Sequence, residues 1–133
     1  MTRILALLLM SVLVPLPAFA NDSCVAIGPV GQKVDQELDQ HVATAMNLPD
    51  ATVQQVFKSG TWRILYVTSS RADGAYLFYS ASPEQAMPVA IWAGAARTDE
   101  TAGIEQWAHE HVAGIPDDLA KCFAVYVTTR RSM

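Results

Sequence analysis

The chain has 133 residues, and its reactive groups are three histidines, two cysteines and thirteen carboxylates. His109-Glu110-His111 has the outward form of a metal motif. On a helix, however, positions i and i+2 point about 200° apart, so the two rings cannot close on one ion. The fragment also lacks the four-residue histidine spacing of H-E-x-x-H. His111 falls on the apolar stripe of its segment and reads as a hydrogen-bonded core histidine, whereas His109 pairs at i, i+4 with Glu105. His41 is the only other histidine, too few for a three- or four-ligand site, so no metal is expected.

Nucleophiles give no stronger signal. Ser69-Ser70 lies in a loop with no identifiable base, and there is no G-x-S-x-G elbow. Asp99-Glu100 and Asp117-Asp118 stand near helix starts, where the helix dipole already accounts for paired acids. Gly94-Ala95-Ala96 does not carry phosphate-loop spacing. No catalytic residue and no cofactor is therefore assigned. A site assembled from distant residues around His41 or His109 would escape this search.

Cys24 and Cys122 stand 98 positions apart, far from the C-x-x-C spacing of a redox pair. A structural disulfide is the expectation, and in the loop-entropy picture it contributes about 4–5 kcal/mol. The compartment agrees. Arg3, the apolar run Ile4 to Val14, the breakers Pro15 and Pro17, and Ala18-Phe19-Ala20 form a secretory leader ending at Ala20. Its run of about eleven apolar residues is short of a bilayer span. Asn21-Asp22-Ser23 spoils a lipidation box before Cys24 and is a sequon beside the cleavage site. Residues 1–20 thus read as signal peptide and 21–133 as one periplasmic or secreted domain, with no stable membrane anchor after cleavage. Losing Arg3 takes the formal charge from −4 to −5. That charge excludes the basic stripe of a nucleic-acid binder.

The elements follow from periodicity. Val34, Leu38, Val42 and Ala45/Met46 recur at helical spacing and stop at Asn47-Leu48-Pro49. Val53, Val56 and Phe57 read either as one helical turn capped by Asp50 or as a strand reaching a turn at Lys58-Ser59-Gly60, with the strand preferred. Thr61 to Thr68, Ala75 to Ser80 and Val89 to Ala93 are strands, the first two joined by a turn at Arg71-Ala72-Asp73-Gly74. A second helix runs from a cap at Thr98 or Asp99 to about Val112, with Ile104, Trp107, Ala108 and His111 inward. Cys122 to Thr129 reads as a final strand. The expected fold is α+β: an antiparallel sheet of four to five strands, a meander plus a C-terminal strand, packed against two helices and closed by one disulfide.

These strands are apolar on both faces, where a half-exposed sheet alternates. Leu65 and Val67 oppose Trp62, Ile64 and Tyr66; Leu77 and Tyr79 oppose Tyr76 and Phe78; Trp92 opposes Val89 and Ile91. Either helices cover both faces, or one face is an aromatic surface for a partner, a dimer mate or an apolar ligand. The candidate binding set is Trp62, Tyr66, Tyr76, Tyr79 and Trp92, with Arg97 at its rim beside Arg63 and Arg71. The Arg130-Arg131 tail reads as a solvated end. Exported, acidic and without a catalytic signature, the chain reads as a non-enzymatic binding protein of inhibitor or immunity type. A basic protein partner is favoured, and a homodimer fits the same pattern. The alternatives are a carrier of a small apolar ligand and a small hydrolase.

Overall fold

The structure is a computed structural model that describes residues 36–129. The leader, the segment carrying Cys24 and the Arg130-Arg131 tail lie outside the described residues. Helix α1 (Gln36–Met46) is followed by strands β1 (Thr52–Ser59), β2 (Trp62–Thr68), β3 (Ala75–Tyr79) and β4 (Ala90–Ala93), then helices α2 (Thr101–His111) and α3 (Asp117–Thr129). The four strands form one antiparallel sheet in the order β1-β2-β3-β4. The meander of the sequence reading is therefore present, and the domain is α+β.

Local chemistry sets the boundaries. Asn47 ends α1 in the left-handed region at φ 53°, while the Leu48 amide donates to the Ala43 carbonyl at 2.9 Å. Gly60, at φ 57°, turns β1 into β2 between the paired residues Ser59 and Trp62. Gly74 lies against Tyr66, where an added Cβ would come within 2.6 Å of the phenol oxygen. The Asp50 carboxylate clasps the loop after β2, accepting from the Ser70 amide and Ser69 hydroxyl, each at 2.7 Å, and from the Ser70 hydroxyl.

The ambiguity at Val53–Phe57 has a physical cause. The β1–β2 register shifts between Val53 and Gln55. A bulge there puts Val53 and Val56 on one face and Gln55 and Phe57 on the other, breaking the two-residue alternation. Asp39 of α1 accepts the Val53 amide at 2.8 Å and holds the bulge.

Two expectations need correction. The segment Cys122–Thr129 is not a strand but the body of α3. Its β-branched and aromatic residues suggest a strand, yet the buried pairs Leu119/Ala120, Phe123/Ala124 and Val127/Thr128 recur every four residues, with Lys121, Val125 and Thr129 exposed between them. Burying that stripe on the sheet overrides β-propensity. Thr128 satisfies its hydroxyl within the helix by donating to Ala124 O at 2.8 Å. Three helices, not two, therefore pack on the sheet.

They pack on both faces. Phe57, Ile64, Tyr76 and Phe78 meet Ile104, Ala108, Leu119, Phe123 and Val127 from α2 and α3. Across the sheet, Val53, Leu65, Val67, Leu77 and Tyr79 meet Leu38 and Val42 of α1. The doubly apolar strands are explained by this helix–sheet–helix layering. His111 supplies the second correction: it is exposed, stacked on Trp107 with centroids 5.1 Å apart, and its Nδ1 is 2.9 Å from the Trp107 carbonyl oxygen.

Candidate functional site

The sheet separates the aromatic residues that the sequence grouped. Tyr79 is buried on the α1 face, where loss of solvation raises its phenol pKa above the usual range. Tyr76 is 9% exposed at the centre of a ring cluster, stacked on Tyr66 at 4.7 Å and edge-on to Phe123 at 5.2 Å. Trp62 is half-buried at the β1–β2 end, near Gly114. Register places Tyr66, Tyr76 and Trp92 in one row across β2, β3 and β4. Four of the five aromatic residues thus lie with the α2/α3-side cluster, and Tyr79 alone lies across the sheet.

The arginines also diverge. Arg63 folds back to donate to the Gly60 and Trp62 carbonyls, both at 2.8 Å. Arg71 is exposed in the loop after β2. Arg97 is held by Asp99, Nε to Oδ1 at 3.0 Å, and its amide donates to Glu100 at 2.7 Å. Asp99, then Glu100, raise its pKa further above the ordinary guanidinium value.

Trp92 nevertheless marks one feature. Between β4 and α2 runs an open trough of about 470 Å³, lined by Trp92, Ala95, Gly103, Ile104 and Trp107, with Asp99 and Glu100 at its rim. Each side has its cause. Trp92 is oriented by Phe123, edge-on at 5.5 Å, and Trp107 by Phe78 at 5.8 Å. Gly103 contributes no side chain, and a Cβ built there meets nothing within 4 Å. Two half-buried indoles line the trough, and their ring faces attract a cation by their quadrupole. The Asp99 and Glu100 carboxylates at the rim are already engaged by Arg97. Sequence reasoning missed Trp107 and Gly103. Trp107 looked like core, and the glycine within the α2 pattern was the available signal.

A larger trough of about 750 Å³ lies between α1 and the β3–β4 loop, with Glu37, His41, Glu84 and Met87 on its walls. The Ser82 hydroxyl and the Glu84 amide hold the Glu84 carboxyl below its usual range, with smaller help from His41 and Arg63. A more enclosed space under Met46, Leu48 and Leu77 holds only about 20 Å³, roughly one water.

Among the described residues no group of three or more His, Cys, Asp or Glu is placed to hold a metal ion. No helix among them is long and apolar enough to cross a membrane. The chain matches no protein-family model, no curated protein and no solved structure.

Proposed function

We propose that this is an exported, non-enzymatic binding protein that docks a basic protein partner at the β4–α2 trough, in the manner of an inhibitor or immunity protein. The observation that carries the reading is the open pair of indoles, Trp92 and Trp107, flanked by Asp99 and Glu100. A lysine or arginine side chain laid against those rings gains cation–π attraction, and reaches the Asp99 carboxylate by competing with Arg97 for it. The acidic balance of the whole chain steers such a partner toward it. Export of residues 21–133 to the periplasm or beyond, after removal of residues 1–20, belongs to the same proposal. So does a Cys24–Cys122 disulfide, which would anchor the lead-in to the buried side of α3, where Cys122 is 1% exposed.

Co-purification of the native exported protein followed by mass spectrometry tests the reading. A stoichiometric basic protein is expected. Gly103→Leu fills the trough from a position with room for a side chain, so it should abolish that capture while the fold keeps its melting temperature. A bound lipid or other small apolar molecule with no protein would favour the carrier reading and overturn this one. Titration of thiols in denatured protein tests the disulfide; two free thiols would refute it.

A further inference from the structure

We propose that His111 is a proton-responsive partner of Trp107, one that weakens cation binding at the β4–α2 trough as the medium turns acidic. The inference rests on the cation-docking reading of that trough. One wall is formed by Glu100, Gly103, Ile104 and Trp107, a spacing that follows a single helix face. His111 is the next position in that row, one turn beyond Trp107. It stacks on the Trp107 indole, with ring centroids 5.1 Å apart and planes 14° from parallel.

The hydrogen bond fixes where the proton goes. His111 Nδ1 is 2.9 Å from the Trp107 carbonyl oxygen. A carbonyl only accepts, so Nδ1 carries the hydrogen and Nε2 is the nitrogen that gains or loses a proton. Protonation therefore leaves that bond intact and places a full positive charge against the indole, where the ring quadrupole holds it. That charge has the sign of a docked lysine or arginine. It weakens the pull of the ring on such a cation and repels it directly. An imidazole makes this change between about pH 5 and 8.

The surroundings leave His111 as the titrating group of this wall. Phe78 of β3 and Phe123 of α3, the other rings against Trp107, are apolar. Across the trough, β4 and its flanks over residues 85–96 carry no charge. Beside His111 on α2 stand His109 and Glu110, and α3 contributes Asp117, whose carboxylate lies 3.8 Å from His109 Nε2. Among the described residues no Asp or Glu forms an ion pair with His111. The rim group of Arg97, Asp99 and Glu100 stands at the opposite end of α2, about 16 Å along its axis.

Fluorescence and NMR on the purified full chain test the proposal, with Nα-acetyl-arginine amide as a probe carrying one guanidinium charge. Tryptophan emission should fall from about pH 8 to about pH 5.5, because a stacked imidazolium quenches indole. Trp107→Phe and His111→Gln should each remove that fall. The probe should shift the indole N–H resonances of Trp92 and Trp107 at the higher pH, and bind about two- to fivefold more weakly at the lower. His111→Gln retains a donor for the Trp107 carbonyl, so it should bind equally at both with an unchanged melting temperature. His41→Gln and His109→Gln should behave as the wild type. Wild-type emission that is flat over this range would overturn the proposal whatever the variants do. Probe binding indifferent to pH, or a pH dependence that survives His111→Gln, would overturn it and leave the docking reading standing. A probe that shifts neither indole at any pH would overturn the docking reading, and the regulation with it.

Discussion

The two faces of the sheet are filled by different kinds of side chain. On the α2/α3 side, Phe57, Tyr66, Tyr76, Phe78, Trp92, Trp107, Phe123 and Tyr126 meet edge to face, tilted or stacked, with centroids 4.7 to 6.5 Å apart. On the α1 side the cluster is almost wholly aliphatic, with Tyr79 its single aromatic ring. Two helices enclose the aromatic face, and Phe123 of α3 reaches Trp92 of β4. One helix covers the aliphatic face, whose cluster includes no β4 residue. The trough opens on the aromatic side, where Trp92 and Trp107 are only half enclosed.

Substitutions can separate the two faces. Phe123 is fully buried and touches Tyr76, Phe78 and Trp92. Phe123→Ala should cost about 3–5 kcal/mol in denaturant unfolding. Val42→Ala, at 1% exposure on the other face, should cost only about 1–3 kcal/mol. Equal losses would refute the view that the aromatic face dominates stability. Asp39→Ala should cost about 1 kcal/mol, because it frees the Val53 amide at the bulge and loosens α1 from β1. Ile91→Lys should change stability by less than about 0.5 kcal/mol, since the residue is 47% exposed and belongs to neither buried cluster.

The smallest effect concerns pH. Hydrogen bonds from the hydroxyls of Ser70 and Ser69 and from the Ser70 amide hold the Asp50 carboxyl below its ordinary range. A depressed folded-state pKa stabilises above the unfolded value, near pH 4, and that stability is lost as pH falls toward the folded value. Asp50 is exposed, so the contribution is modest. Asp50→Asn should flatten the stability profile below about pH 4 and leave neutral pH nearly unchanged. The measurement is a series of thermal melts from pH 2 to 7. An identical acid limb in both proteins would show that the clasp carries no pH dependence.

Much of the fold was legible in the sequence. Helix α1 showed its four-residue spacing and its Asn47 stop, and β2 and β3 showed unbroken β-formers. A loop over residues 69–74 joins those strands in place of the expected Asp-Gly turn, with Gly74 outside the left-handed region. The failures have specific causes. Val53, Val56 and Phe57 look helical because a bulge interrupts their alternation. CFAVYVTT looks like a strand because β-branched residues prefer one, and only the packing of its four-residue stripe against the sheet makes it helical. His111 lies at the apolar spacing of α2 but at the end of the helix, beyond the sheet it was expected to face, and stacks outward on Trp107.

The sequence alone determined helix α1, the strand meander, the acidic balance and the apolar character of both sheet faces. These properties depend on residue type and on spacing along a few turns. Tertiary structure decided which helix covers which face, that Trp92 and Trp107 line one trough, and that Tyr79 lies across the sheet from Tyr76. Such outcomes depend on register and on the reach of whole elements, which local periodicity does not encode.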